Sequence, residues 1–377
     1  MRTLLAVGIG LALWCVGCAG SDTATGAERD ARTADVQGVE PLTESQIRTL
    51  LAEFVDEDRQ SVGVVAGTTS AEGRVVVGYG HLSADDPTQP DGDTVFEIGS
   101  ITKVFTATVL ADLVAQEELG LDTPVQSVLG DEVSMPTSDG AQITLGHLAT
   151  HSSGLPRLPD NFDPADPTNP YADYTVEDLY AFLSSHKLAR DIDEAVEYSN
   201  VGFGLLGHAL SVGAGTDFEA LIAERVLEPL QMSDTAIELT PALRERLATG
   251  HDGQLRPAAN WDLPALAGAG ALRSTVHDLL TFLEANLGLG PSPLRQAMER
   301  ARTPQRSDPA LGMDIGLGWI IAREGDREFV WHNGGTGGYA SFVGFDAQAG
   351  EGIVILSNSA LSVDNLAYRL FTRDFDE

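Results

Sequence analysis

The sequence predicts an α/β fold of the α+β type, in which helices flank a mostly antiparallel sheet built from both chain ends. Three observations lead to this prediction. Two strand-like runs come early, four more follow residue 315, and the long segment between them has mainly helical periodicity. The simplest packing joins both groups of strands in one sheet and inserts an all-helical region between them.

The first part of the chain is typical of an export signal. A basic start, Met1-Arg2, precedes a compact apolar run at 4–16, which suits a secretory signal peptide over residues 1–17. This run is too short to cross a membrane comfortably. Residues 18–42 are rich in Ala, Thr, Gly and Asp and lack apolar periodicity, so we expect a flexible tether there.

Cys18 is a candidate lipid-attachment site. The stretch Val16-Gly17-Cys18-Ala19 resembles the end of a bacterial lipoprotein signal, with Cys15 where leucine is usual. This resemblance implies export and anchoring at the cell envelope through lipid on the Cys18 sulfur. Ordinary cleavage near Gly20, with release into the periplasm or the medium, is the alternative.

The folded domain is predicted over residues 43–377, with sheet parts at about 43–99 and 310–377 and a helical part at about 100–309. The predicted strands are Ser61–Ala66, Arg74–Tyr79, Leu317–Arg323, Glu328–His332, Tyr339–Phe345 and Gly352–Ser357. The predicted helices begin at Thr43, with a capping box, and continue with 101–119, 176–185, 201–212, 217–227, 275–287 and 361–371.

The charge balance restricts the partners of the protein. Lys+Arg is 23 and Asp+Glu is 56, for a net charge of −33. Such a surface repels phosphate backbones, so no nucleic-acid partner is expected. Lysine occurs only at Lys103 and Lys187, which makes a motif that contains lysine more informative. The sequence indicates no cofactor and leaves the oligomeric state open.

The first chemical motif is Ser100-Ile101-Thr102-Lys103, at the start of a predicted helix. Residues three apart share a helix face, so the Lys103 amine can reach the Ser100 hydroxyl. A serine becomes a nucleophile when a base accepts its proton, and a lysine serves where burial and nearby cations hold it neutral. Taken alone, the pattern also fits an N-capping serine beside a solvated lysine.

The second motif, Tyr198-Ser199-Asn200, precedes an apolar helix. A phenol at this place can relay a proton, and an asparagine two residues later can bind a substrate amide. The structural alternative is a packed aromatic residue followed by an N-capping asparagine.

The third motif is the glycine-rich stretch 332–339. Its glycines would let a substrate lie close against a strand backbone. A backbone N–H there could complete an oxyanion hole with the N–H of Ser100. A glycine-rich hairpin turn is the alternative.

Together the three motifs resemble the active-site signature of the serine β-lactamase and penicillin-binding-protein superfamily. The Tyr-x-Asn form of the second motif is similar to the class C β-lactamase-like branch, which includes D,D-peptidases, D-aminopeptidases and related esterases. Two further stretches, 143–156 and 268–275, support the resemblance, which runs from about residue 45 to 375. It implies a sheet domain and a helical domain with the active site between them.

The resemblance implies a role for each residue of the first two motifs. Ser100 would be the acylated nucleophile and Lys103 its base partner. Tyr198 would be a proton shuttle, and Asn200 would bind the substrate.

In the third motif, His332 and Gly334 match the ends of the family's Lys-Thr-Gly element, and Gly335 would supply the second oxyanion N–H. His332 replaces the usual lysine, a form that resembles peptidases and esterases more than efficient β-lactamases. Because histidine has a reference pKa of about 6.5, we expect His332 to be mostly neutral at pH 8 and to gain charge toward pH 6. Neutral substrates should then outperform carboxylate-bearing ones at pH 8, and the anionic substrates should recover toward pH 6.

Three basic residues around the first supporting stretch need separate treatment. His147 and His151 are four apart, a spacing that could bind a metal, but no glutamate follows His147 as in the His-Glu-x-x-His pattern. A structural role is therefore favoured, and no metal site is predicted. Arg157 is a candidate partner for a substrate carboxylate.

The sequence thus predicts a metal-free serine hydrolase that forms an acyl-enzyme through Ser100 and acts on a small-molecule or peptide substrate. D-amino-acid peptides or esters are the expected substrates, and a class C-like β-lactamase is the alternative. A non-catalytic penicillin-binding or scaffold protein of the same fold is the rival from a different class.

Overall fold

The computed structural model describes residues 41–309, 312–325 and 327–375. The predicted signal peptide, Cys18 and almost all of the predicted tether lie outside these residues. Within the described ranges, no helix combines the length and the apolar character needed to cross a membrane.

The strands lie in two groups along the chain, separated by a mainly helical region. They are β1 (Gly63–Ser70), β2 (Gly73–Gly80), β3 (Phe96–Glu97), β4 (Thr137–Ser138), β5 (Ala141–Gln142), β6 (Arg273–Ser274), β7 (Arg306–Asp308), β8 (Met313–Ile315), β9 (Ile320–Glu324), β10 (Arg327–Gly335), β11 (Ala340–Asp346) and β12 (Glu351–Ser357).

The helices vary from single turns to four turns. They are α1 (Glu44–Ala52), α2 (Thr102–Ala115), α3 (Val125–Leu129), α4 (Leu145–Ala149), α5 (Val176–Ser185), α6 (Asn200–Ala214), α7 (Phe218–Ile222), α8 (Glu228–Leu230), α9 (Pro241–Glu245), α10 (Ala267–Gly270), α11 (Val276–Leu287), α12 (Arg295–Ala301) and α13 (Asp364–Thr372).

One eight-stranded sheet in the described chain joins the two chain ends. Its order is β2-β1-β12-β11-β10-β9-β8-β7, and neighbouring strands are antiparallel. The early hairpin of β1 and β2 enters the sheet where β1 pairs with β12, from Val64 opposite Ser357 to Thr69 opposite Gly352. The predicted sheet from both chain ends is therefore confirmed.

The two faces of this sheet bury different sets of helices. Because successive side chains of a strand point to opposite faces, Ile353 and Ile355 of β12 pack with α1 and α13, whereas Val354 and Leu356 pack with α2 and α11. Helix α2 is buried along nearly its whole length. This helix therefore provides a rigid support for the residues at its N-terminal end.

The differences from the sequence prediction lie in short elements. The inserted region is mainly helical, and it also contains the small pair β4–β5 and strand β6, which pairs with β3 of the preceding sheet part. Strands β7 and β8 were not predicted, because three-residue segments show no periodicity. The strand predicted from Leu317 begins only at Ile320, because Gly318 adopts a φ of +70° in the preceding turn. The capping box at Thr43 is present, with Gln46 as the reciprocal partner.

Candidate active site

Ser100 and Lys103 lie together at the buried start of α2. A 3₁₀ turn over Gly99–Ile101 leads into the helix and places the Ser100 side chain beside Lys103, one turn later. The Lys103 amine donates to the Ser100 hydroxyl oxygen (Nζ–Oγ 3.0 Å) and to the carbonyl oxygen of Ala269 (2.7 Å). The structure therefore brings this sequence-predicted pair into contact.

The surroundings of Lys103 favour its neutral form. The side chain is 0% exposed, and its nitrogen lies 4.9 Å from the centroid of the Tyr198 ring and 5.8 Å from that of Phe203. Burial lowers the pKa of Lys103 well below its usual value, and the positive charge of Arg157 lowers it further. A lysine in this state can accept the proton of a serine hydroxyl.

The second supporting stretch, residues 268–275, packs against Lys103 and the first turns of α2. Besides the Ala269 carbonyl, it provides the carbonyl of Gly268, which accepts from the Thr106 hydroxyl at 2.8 Å. The backbone N–H of Leu272 in turn donates to the Thr102 hydroxyl at 3.1 Å. These bonds hold the first turns of α2 and give Lys103 its second acceptor, a role that the sequence motif did not specify.

Tyr198 faces the same centre from the start of α6. Its residue surface is partly exposed, but its hydroxyl oxygen is buried and makes no hydrogen bond of normal geometry among the described residues. Burial raises the pKa of Tyr198, and an interaction with the Ser100 hydroxyl offsets part of the increase. The phenol therefore stays protonated near neutral pH and can serve as a proton donor.

The first supporting stretch positions the Tyr198 motif. The ring of His151 packs on the Tyr198 ring with centroids 4.5 Å apart, and its Nδ1 accepts from the backbone N–H of Ser199 at 3.1 Å. The Ser199 hydroxyl donates to the Pro156 carbonyl at 2.6 Å. The sequence indicated only a structural role for His151, and its contact with the Tyr198 motif is a positioning role that the spacing did not reveal.

His332 lies on β10 and closes the opposite side of the site. Its side chain is buried, and its Nδ1 donates to the Asn333 carbonyl at 2.5 Å, because a carbonyl oxygen can only accept. Burial lowers the pKa of His332 to about 3, and the charge of Lys103 contributes to the decrease. The expectation that His332 gains charge toward pH 6 is therefore wrong, because the ring is removed from water and stands beside another base.

The glycines at the end of β10 allow a close approach of two backbones. A Cβ on Gly334 would lie 2.1 Å from the carbonyl oxygen of Ile98. Gly99, which has a φ of +49°, could carry no Cβ either, because that atom would lie 2.7 Å from the amide nitrogen of Gly335. The end of β10 thus lies directly against the turn that carries Ser100, as the predicted oxyanion hole requires. The same stretch also joins β10 to β11 as a hairpin. The glycine-rich turn that was the alternative interpretation is therefore present together with the close approach to Ser100.

Three sequence-predicted site residues carry buried polar atoms that make no hydrogen bond of normal geometry in the described structure. They are the hydroxyl of Tyr198, Oδ1 of Asn200 and Nε2 of His332. Buried polar atoms are normally satisfied, and each exception calls for an explanation. A substrate bound against Ser100 can provide the missing partners.

Arg157 lies at the mouth of the site. Its guanidinium carbon is 5.2 Å from the centroid of the Tyr198 ring, and the residue is half-buried. This position agrees with its selection from the sequence as a candidate contact of the substrate.

The two histidines with metal-like spacing have separate contacts. Nδ1 of His147 accepts from the backbone N–H of Thr144, where it completes a capping box, while Nδ1 of His151 accepts from Ser199. Within the part of the chain that the structure describes, no group of three or more His, Cys, Asp or Glu residues is arranged to hold a metal ion.

Comparison with known proteins finds a family model that matches most of the chain. The model described as Beta-lactamase matches residues 47–374. The D-alanyl-D-alanine-carboxypeptidase/endopeptidase AmpH of Escherichia coli strain K12 is 28% identical over 350 residues, which cover 88% of this chain and 90% of that protein. Penicillin-binding protein 4 of Amycolatopsis lactamdurans is 27% identical and covers 72% of this chain and 74% of its own length.

Solved structures have the same fold. A class C β-lactamase from Rhodobacter sphaeroides superposes with a TM-score of 0.76 at 22% identity, covering 88% of this chain and 100% of its own. A β-lactamase/D-alanine carboxypeptidase from Pseudomonas syringae superposes with a TM-score of 0.76 at 23% identity, with coverage of 88% and 98%.

Proposed function

The chain belongs to the β-lactamase family and is a serine hydrolase, and from this premise we propose that Ser100 is its acylated nucleophile and Lys103 the base that activates it. The observation that carries this proposal is the 3.0 Å contact between the Ser100 hydroxyl and an amine that is completely buried. A lysine exposed to water would be protonated at neutral pH and could not accept the serine proton.

The first half of the reaction forms the acyl-enzyme. Neutral Lys103 accepts the hydroxyl proton while the Ser100 oxygen attacks the substrate carbonyl carbon. The negative charge that develops on the carbonyl oxygen is stabilised by the backbone N–H groups of Ser100 and Gly335. Tyr198 gives a proton to the departing amine or alcohol and recovers one from Lys103.

The second half releases the acyl group. A water molecule gives up a proton to neutral Lys103 or through Tyr198, and its oxygen attacks the carbonyl carbon of the acyl-enzyme ester. The carboxylic acid leaves, and Ser100 regains its proton. Asn200 and His332 have unpartnered polar atoms that can hold the substrate through both steps.

The proposed substrates are D-amino-acid peptides or esters. The similarity to a D-alanyl-D-alanine-carboxypeptidase/endopeptidase supports a peptide, as does histidine in place of the usual lysine at position 332. A class C-like β-lactamase activity is the second candidate, and the family match and the class C fold support it.

Covalent labelling followed by a substrate panel tests this proposal. A fluorescent penicillin or a fluorophosphonate should add one acyl or phosphonyl group, and peptide mapping should place it on Ser100. Purified protein is then assayed on peptides ending in D-Ala-D-Ala, short p-nitrophenyl esters and nitrocefin. Labelling without turnover on any of them would indicate the non-catalytic scaffold instead.

We also propose export and lipid anchoring at Cys18, supported by the signal-like sequence before it. A processed lipoprotein carries several acyl chains and binds membranes firmly. Cells expressing the chain should hold it in the membrane fraction, and Cys18→Ser should release it. A soluble exported protein that begins near Ser21 would contradict the proposal.

A further inference from the structure

Arg157 carries a positive charge at the active site without an acidic partner. In this acidic chain, most described arginines form salt bridges, as Arg74 does with Glu284 and Arg246 with Asp234. Among the described residues, no carboxylate lies within salt-bridge distance of Arg157; its guanidinium stacks near the Tyr198 ring instead. The donors of this side chain are therefore free to bind another molecule.

The backbone of Arg157 is fixed relative to the proposed catalytic residues. Its carbonyl oxygen accepts from the N–H of Asn200 at 3.0 Å and of Val201 at 3.3 Å, at the start of α6. These bonds do not involve the guanidinium. A substitution of the side chain can therefore remove the charge while the link to the Tyr198 motif persists.

Arg157 is also the basic side chain of this site that keeps its charge. Burial lowers the pKa of Lys103, His151 and His332, so none of these three is a dependable cation near neutral pH. Arginine stays protonated in proteins. Since Arg157 is half-buried, an ion pair there is less screened by water than one on the open surface.

We propose that Arg157 binds a carboxylate of the substrate and makes the enzyme prefer anionic substrates. The proposal rests on the proposed function of Ser100, because it concerns substrates of that nucleophile. A guanidinium presents paired N–H donors that match the two oxygens of a carboxylate. It thus supplies, from another side of the site, the positive charge that His332 does not provide.

Two matched pairs of substrates test the proposal and locate the carboxylate. In the first pair, a depsipeptide ends in a free carboxylate or in a carboxamide, on the leaving-group side. In the second pair, a p-nitrophenyl ester carries a carboxylate or a carboxamide at the end of its acyl chain. All rates are measured for each variant on the plateau of its own pH profile, because the charge of Arg157 also lowers the pKa of Lys103, and spontaneous hydrolysis is subtracted.

The variants are Arg157→Gln, Arg157→Lys and the control Arg59→Gln, which removes the same charge from an exposed residue after the first helix. Arg157→Gln should lose about tenfold in kcat/KM on at least one carboxylate substrate, as expected for a charge-assisted hydrogen bond. Its carboxamide partner should change by less than about twofold. Arg157→Lys should recover part of the loss, and Arg59→Gln should match the wild type.

Two results would overturn the proposal. Equal losses on a carboxylate and its carboxamide would show that Arg157 acts on the catalytic groups or on folding, and no loss on either pair would show that it does not contact the substrate. Both results leave the role of Ser100 intact if hydrolysis of the carboxamides still disappears in Ser100→Ala. Hydrolysis that persists in Ser100→Ala would instead reject the proposed function and the inference together.

Discussion

Lys103 at the floor of the active site is completely buried on a core helix, whereas Arg157 at its rim is half-exposed on an irregular segment. We define the floor as the turn Gly99–Ile101 with the first turn of α2, and the rim as Pro156–Leu158. The floor is packed on all sides, and Lys103 is held by Ser100 and Ala269. The rim is held through hydrogen bonds to the backbone carbonyl of Arg157, and the Arg157 side chain has no acidic partner in the described structure.

This difference shows how one site can use two basic residues for separate purposes. Burial disfavours the charged form of lysine, so the floor gains a base. Arginine resists deprotonation, so the rim keeps a permanent charge. Changes at the floor should therefore affect every substrate alike, whereas changes at the rim, once each variant is compared on the plateau of its own pH profile, should affect substrates according to their charge.

Ser100→Ala should have the largest effect. Loss of the nucleophile should reduce kcat/KM by about a thousandfold or more on neutral and anionic substrates alike. The fold should survive, because the partners of the Ser100 hydroxyl, the Lys103 amine and the Tyr198 phenol, belong to the site itself. Thermal unfolding checks the fold, and Ser127→Ala, an exposed serine, is the control. An acyl adduct on the Ser100→Ala protein would contradict the assignment of Ser100 as the nucleophile.

Lys103→Met should have the second-largest effect, a loss of about 10²- to 10⁴-fold in kcat, which is the range of general-base catalysis. Methionine fills a similar volume without a basic nitrogen, so packing around α2 should be retained. Lys187→Met changes the only other lysine of the chain, which is exposed, and should have wild-type activity. If Lys103→Met acylates at the wild-type rate, another group is the base.

Gly334→Ala should have an intermediate effect by separating β10 from the floor. The added Cβ would meet the Ile98 carbonyl at 2.1 Å and the Ser341 hydroxyl at 2.4 Å. We expect a loss of about 1–3 kcal/mol in the free energy of unfolding, and reduced activity on all substrates. In the control Gly213→Ala, the nearest atom is a side-chain carbon of Val128 at 3.4 Å. Equal stability of the two variants in urea titrations would argue against the close packing.

The smallest effect concerns pH. With the His332 pKa at about 3, this ring does not gain charge between pH 8 and pH 6. The ratio of kcat/KM for a carboxylate substrate to that for its carboxamide should therefore change by less than about twofold over this range. His332→Gln, which is neutral at every pH, should have an equally flat ratio. A wild-type ratio that rises toward pH 6, and is flat in the variant, would restore His332 as the anion-binding residue.

The sequence predicted the features that depend on local pattern. Short apolar runs bounded by turn residues located β1 and β12, and the three-residue spacing from Ser100 to Lys103 predicted their contact. The resemblance of the motifs to a known family then placed Tyr198 and Gly335 near the same centre, and the structure brings them there.

Features that depend on contacts between distant segments could not be predicted. The acceptor of Lys103 is a backbone carbonyl 166 residues away, and no residue type is required for that role. The charge of His332 was misjudged because its burial is decided by the packing of β10 against the turn Gly99–Ile101, with the Tyr198 ring 6.1 Å away between centroids. The free guanidinium of Arg157 likewise became evident only once the carboxylates of the described chain had been located.

The pH dependence of Ser100 acylation tests the central claim, that burial makes Lys103 a base near neutral pH. The rate is measured with a neutral acylating ester in the wild type and in Lys103→Met. A base must be unprotonated to act, so the rate should rise with pH through a pKa well below 10.5, the usual lysine value, and then level off. The rise should be absent in Lys103→Met. A wild-type rate that keeps rising to about pH 10, as for a solvated lysine, or the same profile in both proteins, would contradict the account.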